Sequence, residues 1–520
     1  MFKNLVGTHK PDILDCISNL SSDEVFTPPA IVNQMLDILP TEVWTNPDFK
    51  WLDPATKSGV FLREIAMRLM EGLKPSIPDE AVRREHIFRN MLYGIAITEL
   101  TGLIARRSLY YSKDASSNFS IIPFDDMQGN VHFSRGIHHY VNGKCWHCSV
   151  PSSALERGDH LENHAYQFIH DNTKPLKIPY VLNKFGVGMK FDVIVGNPPY
   201  QLNDGGGVGS SAIPVYHKFI NQAKKLNPKY ISMIIPSRWF SGGRGLDEFR
   251  DEMLNDNRIR VIHDYMNASD CFPGVEIKGG VCYFLWNRDS VGQCDVYTHN
   301  DGDITFSQRN LLEDGASTFI RHNDAISIFY KVRDFKEKSF SSIVSANDPF
   351  GFDVRENASY KRVKPSFKIE PFKNGVSFYY NGWRKDGLGY VDKDTVKKNK
   401  ELIEKVKILV PKAWGIGDVG SDWVNPFIIP KNSCCTETYL VIGPFDEMEI
   451  AENVLAYTQT KFFHFLVSLL KITQNTMKKS YEFVPMQDFS SKLTDDDLYK
   501  KYKFNKTEID FIESMVRSTE

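Results

Sequence analysis

The sequence predicts an α/β fold with a largely parallel sheet. Three observations predict it. Between residues 26 and about 286, short apolar runs alternate with stretches of helical period. The runs are apolar at nearly every position rather than at every second one. The first and the third candidate strands run into turns of small or rigid residues. A strand with no polar side is one covered on both faces, as in sheets built from strand–helix–strand units. In open sheets of that kind, ligands bind beyond the carboxyl ends of the strands.

Taken in order, WLDPAT (51–56), LYGIAIT (92–98), FDVIVG (191–196), YISMIIP (230–236), RVIHDYM (260–266) and GGVCYFLW (279–286) read as strands, with FSIIPF (119–124) a further candidate. PAIVNQMLDIL (29–39), VFLREIAMRLMEGL (60–73) and PVYHKFINQAKKL (214–226) read as helices. Residues 130–185 break the rhythm and read as an insertion. After about 300 the pattern turns irregular and rich in Lys, Asn and aromatics, and AENVLAYTQTKFFHFLVSLLK (451–471) then returns to helical character. The expected organisation is an α/β domain over 1–300, a second domain over 301–450 and a helical segment over 451–520.

Composition narrows the function classes. The chain has 520 residues, 42% hydrophobic and 25% charged, with a formal net charge of −2, as in ordinary soluble proteins. No apolar run approaches the length of a membrane span, and the N-terminus carries charges where a signal peptide needs its apolar centre. Eight cysteines in so long a chain are not a disulfide framework. A cytoplasmic protein without a membrane partner is expected. The total charge says nothing about nucleic acid, but its distribution does. Residues 361–412 hold 14 Lys/Arg against 6 Asp/Glu, a local net of +8. Phe367, Phe372, Phe378, Tyr379, Tyr380, Trp383 and Tyr390 are interleaved with that charge. A solvated surface is one reading; the aromatic interleaving suits a phosphate-contacting surface better.

Two loops suggest a nucleoside site. The first strand ends in Asp53-Pro54-Ala55-Thr56-Lys57-Ser58-Gly59 before a helix near Val60, a small-residue turn that lets a ligand approach the backbone. The second strand ends at Thr98-Glu99, where an acid can bind ribose hydroxyls or simply cap a helix. Upstream, Phe26-Thr27-Pro28-Pro29 precedes a helix, with Thr27 expected as N-cap and Pro28 as first residue.

The most specific signal is Asn197-Pro198-Pro199-Tyr200, directly after a buried strand. The prolines lack N–H donors, so carbonyl acceptors dominate the turn. Asn197 adds a side-chain acceptor, and Tyr200 adds a flat face for stacking. Two convergent acceptors beside an aromatic ring suit an exocyclic amine on a planar heterocycle, such as adenine.

At this point the chain resembles the adenine-N6 DNA methyltransferases of restriction–modification systems, gamma class, of the TaqI-like kind. The order FTPP, DPATKSG, NPPY and then a C-terminal recognition region matches, as do SAIPVYHKF (211–219), IIPSRWFSGGRGL (234–246), FPGVEIKGGVCYFLW (272–286) and SYEFVPMQDF (480–489). The resemblance implies a Rossmann-like class I methyltransferase sheet, an inserted subdomain and a C-terminal target-recognition domain. It implies S-adenosylmethionine as cofactor and double-stranded DNA as partner, with a companion restriction endonuclease. Phe26, Thr27 and Pro28 would close over the methionine end of the cofactor. Asp53 and Gly59 would line its first loop, Glu99 would hold its ribose and Asp126, with Asp125 as rival, its adenine. Lys57 stands where the family often has glycine, and pairing with the cofactor's carboxylate is the role expected for it. Asn197, Pro198, Pro199 and Tyr200 would hold the flipped target base, and Phe272 would cover its other face. Phosphate contacts are expected from Lys361, Arg362, Arg384 and Lys412.

The insertion carries seven of the 14 histidines between His132 and His170, together with Cys145-Trp146-His147-Cys148. A C-x-x-C pair beside histidines has zinc-knuckle spacing, with Cys145, Cys148 and His139 as candidate ligands; reduced thiols in a histidine-rich loop are the alternative. Other readings of the whole chain are a partner-dependent cofactor-binding subunit of a larger restriction complex, or a methyltransferase acting on RNA adenine or protein glutamine.

Overall fold

Six consecutive buried residues, Trp51–Thr56, form strand β1 in the interior of the main sheet. The computed structural model describes residues 25–134, 139–146, 152, 167–170, 172–173, 178–186, 188–202, 213–243, 245–352, 366–412, 425–470 and 476–516. The chain divides into two compact units, Met1–Phe319 and Ile320–Glu520.

In the first unit, β1 is followed by β2 (Leu92–Ala96), β3 (Val131–His132), β4 (Val193–Gly196), β5 (Tyr230–Pro236), β6 (Ile259–Tyr265), β7 (Val281–Asn287), β8 (Cys294–Asn300) and β9 (Asp303–Arg309). Among the described residues these make one nine-stranded sheet, in the order β3-β2-β1-β4-β5-β7-β6-β8-β9. β1 runs parallel to both β2 and β4, β2 is parallel to β3, and β4 is parallel to β5. β7 lies antiparallel between β5 and β6, and the β8–β9 hairpin extends the edge beyond β6. The sheet is therefore mixed and mostly parallel. Its order reverses between β1 and β4, the place where such sheets open a ligand crevice at the carboxyl ends of the strands.

The central strands read as continuous apolar runs because both faces are covered. Trp51, Leu52, Val193, Ile194, Ile231 and Ile234 are all fully buried. Helices α1 (Pro29–Asp37), α2 (Val60–Gly72) and α3 (Glu99–Tyr110) supply Val32, Met35, Leu62, Ile65 and Leu109 to the core cluster that contains Trp51 and Val193. Helices α4 (Tyr216–Lys225) and α5 (Asp247–Leu254) follow β4 and β5 in the chain. Each fully buried Leu or Ile of this core contributes roughly 1.5–3 kcal/mol over an exposed one.

Two expectations for this unit are corrected. FSIIPF (119–124) is not a strand. The Asp114 and Ser117 side chains accept backbone N–H groups of Ser116 and Phe119, which turns the chain, and Phe119 is exposed. The third strand is β3, so Asp126 precedes that strand rather than following it. The helix start at FTPP is one residue later than expected: Pro28 is the N-cap, and the Thr27 hydroxyl accepts from Asn197 instead of capping. In the insertion, the described residues form two short hairpins, Tyr140–Val141 with Lys144–Cys145 and Asn172–Thr173 with Ile178–Pro179.

The second unit holds two three-stranded sheets among its described residues. In one, β10 (Gly375–Tyr379) pairs with β11 (Gly389–Asp392) and with β14 (Ser433–Cys435). In the other, β12 (Val406–Pro411) pairs with β13 (Phe427–Ile429) and β15 (Tyr439–Phe445). Helix α6 (Ala325–Asp334) precedes them, and α7 (Met448–Thr458), α8 (Lys461–Ser468), α9 (Asp495–Lys501) and α10 (Lys506–Met515) follow. The stretch expected as one helical segment over 451–471 is split, because Thr460 caps α8 by accepting from the Phe463 N–H. No helix among the described residues is long and apolar enough to cross a membrane.

Gly59 positions the start of α2. It sits at φ +78°, and a Cβ there would lie 2.9 Å from the Ala105 Cα and carbonyl oxygen in α3. Both the left-handed backbone and the close approach require glycine. Gly59→Ala is expected to destabilise the first unit by about 2–4 kcal/mol, read as a lower denaturation midpoint at unchanged m-value.

Candidate active site

The carboxyl ends of β1 and β4 lie side by side, and a cleft opens there lined by Thr27, Asp53, Lys57, Ser58, Gly59 and Asn197, with Ala55, Val60 and Phe61 completing its walls. The approach of the two strands is close. A Cβ at Gly196 would sit 2.8 Å from Asp53 Oδ1.

Asp53 is 2% exposed, and its Oδ1 accepts from the Ala55 N–H at 3.1 Å. Burial raises its carboxyl to a pKa of about 7, against the opposing pull of the Ala55 N–H, the Thr56 hydroxyl and the Lys57 charge. Lys57 is buried to 8% exposure and donates from Nζ to the Val25 carbonyl at 2.9 Å. Its ammonium therefore ties the cofactor-loop candidate to the segment before α1, a contact that carries no sequence signal.

Asn197 is 3% exposed. Its Nδ2 donates to the Val25 carbonyl and to Thr27 Oγ1, both at 3.0 Å. Its Oδ1 is buried without a hydrogen-bond partner. Pro198 and Pro199 are buried and Tyr200 is half-buried. The Tyr200 hydroxyl is buried near the Asn197 amide but outside hydrogen-bonding geometry. Burial pushes this phenol well above its usual range, with the Cys271 and Cys282 thiols adding to the effect and Asn197 opposing it.

The remaining expected site residues divide. Phe26 and Thr27 are buried, and Pro28 is half-buried at the start of α1. Glu99 is exposed in the first turn of α3, at the carboxyl end of β2. Thr98 caps that helix through reciprocal bonds with Thr101, so the Glu99 carboxylate is not the cap. Asp126 is exposed, and its Oδ1 accepts from the Gln128 N–H in the turn before β3. It thus loses the after-strand position on which its assignment to the cofactor's adenine rested. Phe272 is 2% exposed inside the core cluster, which leaves no open ring face for a base.

In the second unit, Arg384 is exposed and its guanidinium stacks over Trp383 and Phe427, at 5.6 and 5.2 Å from the ring centroids. Lys412 is half-buried; its backbone N–H donates to Thr438 and its carbonyl accepts from the Thr476 N–H. Lys361 and Arg362 lie outside the described residues. The interleaved aromatics are a correction: Phe367, Phe378, Tyr379 and Tyr380 are core residues that pack on one another, because a small sheet needs an apolar face more than the surface needs rings.

For zinc, Cys145 is buried in the short hairpin, the His139 carbonyl accepts from the Trp146 N–H, and Cys148 lies outside the described residues. Among the described residues no group of three or more His, Cys, Asp or Glu could hold a metal ion.

Comparison with known proteins adds relatives. The family described as "Eco57I restriction-modification methylase" matches residues 90–272. An "uncharacterized adenine-specific methylase" of Mycoplasma pneumoniae is 39% identical over 328 residues, 58% of this chain and 77% of that protein. Among solved structures, the Type IIL restriction–modification enzyme MmeI in complex with DNA aligns at a TM-score of 0.49 and 12% identity, over 88% of this chain and 66% of that one. The Type ISP enzyme LlaGI, as a nuclease-deletion mutant with a DNA substrate mimic, aligns at 0.45 and 11% identity, over 91% of this chain and 46% of that one.

The Asp53 environment has a pH consequence. Its folded-state pKa of about 7 lies above the ordinary value of 3.8, so the folded chain holds a proton that the unfolded chain releases. Its contribution to stability is fully present below the ordinary value and is lost as pH rises through the folded one. Asp53→Asn is expected to flatten the stability difference between pH 4 and pH 7 measured by denaturant titration, relative to the parent chain.

Proposed function

The chain belongs to the adenine-specific methylases of the Eco57I restriction–modification family, and on that premise we propose that it transfers a methyl group from S-adenosylmethionine to N6 of an adenine flipped out of duplex DNA. The order of its motifs supports a gamma-class, TaqI-like member. A companion restriction endonuclease is the partner this reading implies.

The observation that carries the proposal is the Asn197 amide. A buried acceptor without a partner costs about 1–3 kcal/mol, and the residue directly after β4 holds one at the rim of a cleft. An amine entering there would complete it.

The residues that line the cleft also suit the cofactor. The thirteen-residue helix α2 begins at Gly59 with no side-chain cap, so its first N–H groups and the Lys57 ammonium offer positive ends for a carboxylate. Glu99 stands at the end of β2 for a ribose, and Asp53 offers a buried acid for an amino group. When bound, S-adenosylmethionine supplies an electrophilic methyl group.

The chain's own residues do the rest by positioning. Asn197 Oδ1 and the Pro198 carbonyl accept from the two N6 hydrogens and turn the nitrogen lone pair away from the ring. Tyr200 stacks on the purine and offsets part of the few kcal/mol that extrusion costs. No strong general base is required, because the acceleration comes from holding the reacting atoms in line. The basic segment of the second unit, with Arg384 and Lys412, would contact DNA phosphates.

The deciding experiment supplies cofactor labelled in its methyl group with unmethylated DNA, RNA or a glutamine-containing peptide. Label should appear in DNA as N6-methyladenine; label in RNA or peptide alone would refute the proposal. Asn197→Ala is expected to lower transfer by at least roughly 100-fold while cofactor affinity, measured by calorimetry, stays within about twofold.

A further inference from the structure

An amide has two ends of nearly equal size, and only one of them serves an incoming amine. Asn197 sits in a buried site where nothing about its shape distinguishes Oδ1 from Nδ2. The distinction comes from its neighbours. The Val25 carbonyl lies 3.0 Å from one end of the amide. A carbonyl oxygen only accepts, so that end must be the NH₂. Thr27 Oγ1 lies 3.0 Å from the same end and accepts a second hydrogen. Turned over, the amide would set oxygen against oxygen at Val25 and would offer donors to an amine that is itself a donor.

The segment that makes this choice is itself anchored. The Val25 carbonyl also accepts from Lys57 Nζ at 2.9 Å. Four residues into α1, Asn33 Nδ2 donates to the Glu64 carboxylate at 3.0 Å, and the Arg68 guanidinium donates to Asn33 Oδ1 at 2.9 Å and pairs with Asp37. Val25 is therefore tied to the β1–α2 loop, and helix α1, which follows directly, is tied to helix α2.

We propose that Thr27, together with the Val25 carbonyl, is a positioning residue for methyl transfer: it orients the Asn197 amide so that Oδ1 faces the target amine. This rests on the reading of Asn197 given above. This role is distinct from the one expected for Thr27 beside the cofactor, because the contact it rests on is with the base-binding motif.

The test uses the full chain and three measurements: single-turnover methyl transfer to unmethylated DNA, cofactor affinity by calorimetry, and thermal midpoint. Thr27→Val keeps the shape and removes the acceptor. It should slow transfer roughly fivefold to twentyfold, the loss of about one hydrogen bond, with cofactor affinity within twofold and the midpoint unchanged. Thr27→Ser should recover most of the lost rate. Thr27→Ala, which needs no extra room, is read the same way if the valine variant has a lowered midpoint. A parent-like rate in Thr27→Val overturns the proposal, as does a cofactor affinity that falls in step with the rate. Asn197→Ala runs in parallel: full transfer by that variant sinks the underlying reading, whereas an inactive Asn197→Ala beside an unaffected Thr27→Val sinks only the positioning role.

Discussion

Everything at the site depends on the parallel pairing of β1 with β4. The register Trp51↔Val193 and Leu52↔Ile194 brings together two strands between which the chain runs through α2, β2, α3, β3 and the insertion. Each strand alone ends in an ordinary turn. Side by side, one end contributes a small-residue loop leading into a helix and the other contributes a turn whose two prolines supply no N–H donors. The cleft is what the sheet leaves where its order reverses, and the segment before α1 closes it through bonds to Lys57 and Asn197.

Much of this was legible from residues alone. WLDPAT and YISMIIP mark β1 and β5 to the residue, and the other central strands are displaced by no more than a turn. The reason is physical: a strand buried on both faces has no freedom in its composition. The tetrapeptide Asn197–Tyr200 was legible as a candidate site for a related reason, since two prolines and an amide after such a strand serve no structural economy. Edges were harder. FSIIPF has strand composition, yet Asp114 and Ser117 turn it by local side-chain bonds that a count of apolar residues does not register. The true β3 has only two residues, too few for any pattern.

Contacts made by the backbone were not legible at all. The Val25 carbonyl is shared by two partners, and nothing in the identity of a valine announces it. Aromatic residues misled in the opposite direction. Charge and rings alternate along residues 366–412, but in space most of them part company: the rings of Phe378 and Tyr380 turn inward and Arg384 stays outside, with the fully buried Lys407 the exception among the lysines. Sequence adjacency records composition, and burial sorts it. Phe272 shows the same effect, a residue placed by likeness at a base and by packing in the core.

The near-contact of Gly196 with Asp53 reaches further than either residue does. A carboxylate oxygen occupies the volume in which any side chain at 196 would begin, and the backbone there stands at φ +158°, so two separate constraints hold the glycine. Shortening residue 53 would lift the first and leave the second. An engineer wishing to reshape the rim of the cleft would therefore have to redirect the backbone at 196 as well as replace the acid that faces it.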